Sequence, residues 1–359
     1  MGESRGAIQL RPYTAFAMNM GQTPLVSVVI VNWNGKDLLP RCLEAVFAQT
    51  FPSREVIVVD NASSDGSAEA AQASWQEVCV LRLEKNLGFA AANNLGARLA
   101  QGRWLALLNN DAFPHPDWLE RLLETAEDHP EFSFFASRLV NSREPQRMEA
   151  TGDVYHVSGL AWHRDGNLHV SQVQRDGEVF SACAAAALYQ RQAFLAVDGF
   201  DEDYISHHED VDLGFRLRLH GHRCGFVHQA VVEHLGSASY GKESDLTVYR
   251  VQRNLVWTYV KNMPSPLVWQ YLPAHLFANL FFLLYYAAQG RGSLIWRAKR
   301  DALRGLRRML RKREAIQSGR KVEAEEIQRV LDRGWLSPYL LGKRARKVKH
   351  LLSALGIRT

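Results

Sequence analysis

Residues 207–218 read HHEDVDLGFRLR and place two histidines and three carboxylates side by side. A carboxylate such as Asp210 can serve as a general base that takes a proton from a hydroxyl group. Asp212 and Arg216 are four residues apart, which predicts an ion pair on the surface of a helix. His207 and His208 are adjacent rather than four apart, so they do not match a two-histidine zinc helix. From its residues alone, the stretch could be a metal site, a helix cap or a catalytic base.

Further polar residues follow four apolar runs of the chain: Asn32 and Asn34, then Asp60 and Asn61, then Asn86, and finally Asn109, Asn110 and Asp111. Asp111 would suit a divalent cation that bridges a diphosphate, or it would cap a helix beginning near Pro116. The loop after Asp60, VVDNASSDGS, would present a carboxylate and N–H groups to a nucleoside, or it would form an ordinary Asx turn.

These polar residues need a scaffold that brings them together, and the hydrophobic pattern predicts one. Short β-branched runs alternate with helical stretches at 36–48, 67–75, 89–100 and 116–127. Strands that are apolar on both faces indicate an α/β fold with a mainly parallel, Rossmann-like sheet covered by helices. Ligands of such sheets bind at the carboxyl ends of the strands, so we expect one crevice to hold all these residues. No GxGxxG follows the first two strands, which disfavours a dehydrogenase.

Five ordered motifs make the interpretation specific: VSVVIVNWNGKDLLPRCLEAVFAQT, VIVVDNASSDGS, KNLGFAAANNLGARLAQGRWLALLNNDA, GFDEDYISHHEDVDLGFRLRLHGHR and VVEHLGSAS. With these motifs, which cover roughly residues 24–240, the sequence resembles glycosyltransferase family 2, the inverting enzymes of the GT-A fold. It is most similar to the bacterial rhamnosyltransferase-like branch.

The resemblance implies roles for individual residues. Asp60 would contact the base or ribose of a sugar nucleotide, and the rest of the donor pocket would comprise Asn32, Asn34, Asn61, Asn86, Gly88, Asn109, Asn110 and Asp111. Asp111 and His234 would hold Mg²⁺ or Mn²⁺. Asp210 would be the catalytic base, and Glu209 would either raise its pKa or bind the acceptor. Asn109 replaces the first acid of the family's DxD motif, which puts single-carboxylate coordination in question.

The C-terminal part of the chain has a different composition. Residues 290–359 contain 20 Lys and Arg against 6 Asp and Glu, so this segment carries a charge of about +14 although the whole chain carries +5. It follows an uncharged apolar stretch, 267–288. We expect the pair to lie on an anionic membrane surface, although a true span, or a core helix followed by a solvated basic face, would also fit. No nucleic-acid recognition motif accompanies the charge.

Domain boundaries and compartment follow from the same patterns. We expect a loose tail at 1–23, a catalytic domain at 24–255 with donor (24–112) and acceptor (113–255) halves, and a helical membrane-associating region at 256–359. The four cysteines have no CxxC spacing, and the first 21 residues have no continuous apolar core, which predicts the reducing cytoplasm at the inner membrane face. Aromatic residues in 155–162, Tyr155 and Trp162, would either stack on a sugar or pack in the core.

The predicted function is metal-dependent, inverting transfer of a sugar to a hydroxyl of a glycan or lipid-linked glycan during surface polysaccharide synthesis. By resemblance, the donor would be dTDP-L-rhamnose. Two alternatives remain open at this stage: transfer to a polyprenyl phosphate, which the apolar segment permits, and a non-catalytic GT-A subunit that only binds glycan or nucleotide, which the Asn109 departure suggests.

Overall fold

A computed structural model describes residues 23–236, 244–335 and 337 of the chain. The predicted tail at 1–23 lies outside these ranges except for its last residue. The end of the predicted membrane-associating region, beyond residue 337, also lies outside them.

The described strands are β1 (Val26–Asn32), β2 (Arg54–Asp60), β3 (Val78–Arg82), β4 (Trp104–Asn109), β5 (Ala112–Pro114), β6 (Phe132–Asn141), β7 (Met148–Ala150), β8 (Asp153–Tyr155), β9 (Ala161–His163), β10 (Gly177–Val179), β11 (Ala186–Gln190) and β12 (Arg223–His234). The helices of the first half are α1 (Leu39–Phe47), α2 (Ser67–Ser74), α3 (Phe89–Leu99), α4 (Trp118–Asp128) and α5 (Arg191–Ala196). The predicted alternation of strands and helices is therefore confirmed through α4.

The described strands build a ten-stranded sheet in the order β10-β12-β6-β11-β4-β1-β2-β3, with β5 paired to β12 and β7 to β6. Strands β1 to β4 are mutually parallel, whereas β11 runs antiparallel to β4 and β6. Asn32 pairs with Asp60, and Val31 with Asn109, so the carboxyl ends of β1, β2 and β4 meet at one edge.

Helices cover both faces of this sheet, and the core divides accordingly. Val28 and Ile30 of β1 pack with α1 and α4 on one face, while Val29 packs with α3 on the other. Because neither face meets water, β1 needs apolar residues at successive positions, which explains its uninterrupted run. Gly96 of α3 allows the helix to approach β1 closely, since a Cβ there would lie 2.4 Å from a Val29 methyl carbon.

The second half supplies further helices: α6 (Glu209–Leu219), α7 (Asp245–Asn262), α8 (Ser265–Gln270), α9 (Leu272–Ala287), α10 (Gly292–Arg304), α11 (Leu306–Ser318) and α12 (Ala324–Val330). Helix α7 packs against α6, α10 and α11. The predicted boundary between residues 255 and 256 lies inside α7.

The apolar stretch 267–288 does not form one continuous helix. It is divided between α8 and α9, which are separated at Tyr271. In the part of the chain that the structure describes, no helix is both long enough and apolar enough to cross a membrane. Helix α9 is instead two-sided: it buries His275, Ala278 and Phe282 but exposes Leu276 and Leu280.

Candidate active site

A cavity of about 630 Å³ lies at the carboxyl edge of the parallel strands. Nine of the residues predicted from the sequence line it: Asn61, Asn86, Gly88, Asn109, Asn110, Asp111, Glu209, Asp210 and His234. They come from strand ends, from the start of α6 and from the end of β12. The fold therefore brings the polar residues that follow the strands and the adjacent acids Glu209 and Asp210 into one cavity.

One wall of the cavity is a network of amides after β2 and β3. The Asn61 side chain donates to Asn86 Oδ1 at 3.0 Å, and its Oδ1 accepts from the Leu87 N–H at 2.8 Å. Asn86 Oδ1 also accepts from the Gly88 N–H at 2.9 Å. Gly88 has φ +85°, a left-handed conformation that favours glycine. These bonds fix the loop that precedes α3 and present polar groups at the cavity wall.

Three predicted donor residues lie outside the lining. Asn32 is fully buried and donates to Asp60 Oδ1 at 3.1 Å, and it accepts from Asn110 at 3.0 Å. Asp60 accepts from the Ser63 N–H at 3.3 Å, as in an ordinary Asx turn. Asn34 accepts from the Ser64 N–H at 2.9 Å. In the structure all three make hydrogen bonds within or between the loops that follow the strands, and none of them lines the cavity.

Asp111 and His234, which are far apart in sequence, meet in the lining of the cavity. His234 Nε2 lies 3.1 Å from Asp111 Oδ1, and His234 Nδ1 lies 2.9 Å from Glu149 Oε2. Burial would lower the pKa of His234, but the hydrogen bonds with Asp111 and Glu149 outweigh burial and raise it to about 9. Asp111 does not cap α4, because Asp117 occupies that position. Sequence reasoning missed Glu149, which lies on the three-residue strand β7.

The donor set at this wall is small. Within residues 23–236 and 244–335, no group of three or more His, Cys, Asp or Glu side chains is arranged to hold a metal ion. Two neighbouring ligands at about 2.1 Å from an ion and at a right angle are about 3 Å apart. The 3.1 Å separation of the Asp111 and His234 atoms fits this geometry, with phosphate and water as remaining ligands. Asn109 Nδ2 lies 3.5 Å from His234 Nε2 and contributes no carboxylate.

Glu209 and Asp210, the two adjacent acids at the start of α6, also line the cavity. Burial raises the pKa of Asp210 to about 7, and the nearby carboxylate of Asp153 adds to the rise, whereas His163 opposes it. Asp210 Oδ1 accepts from the Val211 N–H at 2.8 Å. Burial, followed by the charge of Asp210, raises the pKa of Glu209 well above its usual range. One acid of the pair thus titrates near neutrality beside a neighbour that favours its protonated form.

The loop before these acids has an unusual backbone. Ile205, His207 and His208 have φ of 67°, 68° and 69°, in the left-handed region that residues with a Cβ rarely adopt. The Asn254 side chain of α7 donates to the backbone carbonyls of Tyr204, Ser206 and His207, the last at 2.7 Å. Burial lowers the pKa of both histidines to about 4, so at neutral pH their rings are uncharged. Helix α7 therefore holds the loop that leads to the acids.

The predicted ion pair of α6 forms, but not on the surface. Arg216 Nε lies 2.9 Å from Asp212 Oδ2, and the two side chains are 7% and 0% exposed. Lys261 of α7 contacts Asp212 at 2.7 Å and Asp201 at 2.5 Å. The expectation of a surface pair was wrong because α7 covers this face of α6. Lys261 connects the two helices through its contact with Asp212.

The hairpin formed by β8 and β9 supplies cavity residues that the sequence analysis left undecided or missed. Tyr155 is fully buried and packs on Phe180, so it is a core residue, whereas Trp162 lines the cavity. Asp153 and His163 also line the cavity, and their side chains are 3.0 Å apart. The sequence signal for this pair would be a histidine and a carboxylate at opposed positions of two neighbouring strands. Strands of three residues give no periodic pattern, so the sequence does not predict these two strands.

Comparisons with known proteins agree with this architecture. A model of the glycosyl transferase family 2 domain matches residues 27–197. The chain is 29% identical to the O-antigen biosynthesis protein RfbC of Myxococcus xanthus over 60% of this chain, but it spans only 18% of that relative's length. It is 28% identical to an N-acetylglucosaminyl-diphospho-decaprenol L-rhamnosyltransferase of Mycobacterium tuberculosis, over 62% of this chain and 79% of the relative.

Among solved structures, the fold is similar to a mannosyltransferase from Pyrobaculum calidifontis in complex with GDP-Man and Mn²⁺. The TM-score is 0.51 at 18% identity, and the match covers 83% of this chain and 86% of that one. At this identity the likeness concerns the fold, and it confirms the predicted architecture.

Proposed function

We propose, from the premise that this chain carries a glycosyl transferase family 2 domain, that it moves a sugar from a nucleoside diphosphate sugar to a hydroxyl of a glycan or lipid-linked glycan. The single observation that carries the proposal is the cavity that Asp210 shares with Asp111, His234 and the Asn61–Asn86 amide network. Such a transfer needs a base for the acceptor hydroxyl, groups that hold the diphosphate, and polar groups that bind the nucleoside.

In the proposed reaction Asp210 takes the proton of the acceptor hydroxyl. The acceptor oxygen attacks the anomeric carbon, a new C–O bond forms, and the bond to the diphosphate breaks, so that the configuration at this carbon is inverted. A pKa of about 7 suits this role, because the carboxylate is populated at neutral pH and is still basic enough to accept a proton. Because the pKa of Glu209 is raised well above its usual range, Glu209 favours its protonated form, and Asp210 is the proposed base of the pair.

We further propose that Asp111 and His234 hold a divalent cation, Mg²⁺ or Mn²⁺, together with the diphosphate of the donor. When bound, such an ion would neutralise the charge that develops on the leaving diphosphate. Glu149 would orient His234 through Nδ1, so that Nε2 faces the ion. Asn109 would remain a hydrogen-bonding amide rather than a ligand.

The donor that we propose is dTDP-L-rhamnose, and the proposed pathway is surface polysaccharide synthesis. Support comes from the sequence resemblance and from the mycobacterial relative, whose name describes an L-rhamnosyltransferase that acts on an N-acetylglucosaminyl diphospholipid. The Myxococcus relative is named for O-antigen biosynthesis.

The experiment that tests this function is a donor panel. Release of nucleoside diphosphate and thermal stabilisation are measured with dTDP-L-rhamnose, UDP-GlcNAc, UDP-Gal, GDP-Man and UDP-Glc, each with Mg²⁺, Mn²⁺ or EDTA. We expect one donor to stabilise the protein selectively, in a metal-dependent manner, and to be consumed. Product formation on polyprenyl phosphate alone would favour that acceptor instead. Stabilisation without turnover of any donor would favour a binding subunit.

We also propose that α8, α9 and α10 rest on the inner face of the cell membrane. The outward side of α9 exposes Leu276, Phe277, Leu280 and Leu284 by 53% to 61%, and Trp269 and Trp296 flank it with 72% and 65% exposure. Exposed arginines follow on α10 and α11 at 297, 300, 304, 307 and 311. Apolar insertion beside basic charge is the combination that binds anionic lipid.

Co-sedimentation with vesicles tests the membrane proposal. Wild-type protein should bind phosphatidylglycerol-containing vesicles more tightly than pure phosphatidylcholine vesicles. The double variant Leu276→Glu/Leu280→Glu should lose most of this binding. Leu168→Glu is the matched control, because Leu168 is 39% exposed but lies outside these helices. Equal binding of the double variant and the control would contradict the proposal.

A further inference from the structure

The Asp153–His163 pair lies in the cavity but has no part in the chemistry described so far. The two residues are directly opposite each other in the β8–β9 hairpin. His163 Nδ1 lies 3.0 Å from Asp153 Oδ1. The pair is asymmetric, because the Asp153 side chain is 4% exposed whereas the His163 side chain is 47% exposed.

Asp153 is held from several directions. Its Oδ2 accepts from Ser181 Oγ at 3.0 Å, and its backbone N–H donates to the Ser181 carbonyl at 2.9 Å. Ser181 is fully buried. A buried carboxylate with both oxygens occupied has little freedom to move, so it fixes the orientation of the imidazole that it contacts.

This orientation leaves one ring nitrogen of His163 available. Nδ1 is occupied by Asp153, and within the described residues Nε2 has no hydrogen-bond partner. His163 lines the same cavity as Asp210, and its charge acts on that acid. The available nitrogen therefore belongs to a residue that lines the same cavity as the proposed base.

We propose that His163 binds the acceptor sugar through Nε2 and that Asp153 is the residue that positions it. A sugar hydroxyl is both a donor and an acceptor, so it can pair with Nε2 in either protonation state of the ring. Trp162, the preceding residue, also lines the cavity and offers an aromatic surface to the apolar side of a pyranose. The inference deepens the proposed function and rests on it.

The two amide replacements of His163 separate this role from a structural one. In His163→Asn the amide nitrogen takes the approximate place of Nδ1, so the bond to Asp153 is kept and the outer nitrogen is lost. In His163→Gln the amide nitrogen takes the approximate place of Nε2. A structural histidine would tolerate Asn better, and an acceptor-binding histidine would tolerate Gln better.

The assay uses dTDP-L-rhamnose with a short-chain N-acetylglucosaminyl diphospholipid as acceptor, and initial rates are measured over both concentrations. We expect His163→Asn to raise the acceptor KM by about three- to tenfold, the effect of losing one hydrogen bond, and His163→Gln to raise it less. The Kd of dTDP, measured by calorimetry, should stay near the wild-type value. His129→Asn is the matched control, because His129 also contacts a carboxylate, Glu131 at 3.2 Å, but lies outside the cavity.

The outcomes are distinguishable. An active wild type with an unchanged acceptor KM in His163→Asn would overturn the inference and leave the proposed function intact. A larger loss in His163→Gln than in His163→Asn would assign the ring a structural role and would also overturn it. A wild type that transfers no sugar would refute the proposed function, and the inference would fall with it.

Discussion

Asp210→Asn is the most direct test of the proposed chemistry. The replacement keeps the size of the side chain and an oxygen that can accept from the Val211 N–H, but it removes the group that would take the proton. A positioned general base contributes about 10²- to 10⁴-fold to a rate, so we expect kcat to fall by that range. Affinity for the nucleoside diphosphate should change little, because Asp210 makes no hydrogen bond with the Asn61–Asn86 amide network.

The pKa of Asp210 gives the expected pH dependence. With a pKa of about 7, roughly one tenth of the side chains are ionised at pH 6 and roughly nine tenths at pH 8, so kcat/KM should rise about tenfold over this interval. A carboxyl with the ordinary value of 3.8 would be ionised at both pH values and would give a flat profile.

The same raised pKa has a consequence for stability. The folded carboxyl holds its proton more tightly than the unfolded one, so its contribution to stability is full below pH 3.8 and is lost as the pH rises through about 7. A shift of this size corresponds to at most about 4 kcal/mol. Contact with solvent in the cavity reduces the expected gain of Asp210→Asn at pH 8 to about 1–2 kcal/mol.

Three measurements on one pair of proteins therefore test the assignment: kcat with the preferred donor, the pH profile of wild-type kcat/KM, and thermal unfolding at pH 5 and pH 8. We expect the variant to be slower, and more stable than wild type at pH 8 by a larger margin than at pH 5. Full activity of the variant would refute the role of base. A flat wild-type profile between pH 6 and pH 8 would refute the environment that we assign to the side chain.

Three further predictions concern residues elsewhere in the fold and site. Lys261→Met should destabilise the protein by about 1.5–3 kcal/mol in denaturant unfolding, because the buried Asp201 and Asp212 lose their shared cation and keep only Lys312 and Arg216; an unchanged midpoint would contradict this. Gly96→Ala should cost about 1–3 kcal/mol, since the added methyl group overlaps a valine of β1, and thermal unfolding measures it. Asp111→Asn should weaken Mn²⁺ binding in the presence of nucleoside diphosphate by at least about tenfold, as seen by electron paramagnetic resonance; equal affinity would exclude it as a ligand.

The parts of the fold that the sequence predicted are those with a periodic signal. Strands β1 to β4 and helices α1 to α4 lie close to their predicted bounds, since long apolar runs and helical stretches each carry several repeats. The reversed strand β11 and the short strands around residues 145–180 were not predicted, because strands of three residues have no period to detect.

In the candidate site, too, some features were predictable from the sequence and others were not. Asp111 and His234 were predicted to meet, although they are far apart in the chain, because their motifs resemble a known family. The burial of the Asp212–Arg216 pair was not predictable from local spacing, since Lys261 covers it from a helix some fifty residues away. The sequence also could not separate the residues that line the cavity from residues such as Asn32, which makes hydrogen bonds between the loops instead.

The left-handed backbone before Asp210 makes the proposed site depend on α7, a helix outside the residues that match the family model. Each of Ile205, His207 and His208 costs about 1–2 kcal/mol in that conformation. The bonds from Asn254 offset part of this cost. Without α7, the loop before the proposed base would lose the three hydrogen bonds that Asn254 donates to its carbonyls. A fragment limited to residues 27–197, the part that matches the family model, would also lack Asp210, the proposed base. The proposed active site is therefore complete only in a chain that extends through α7.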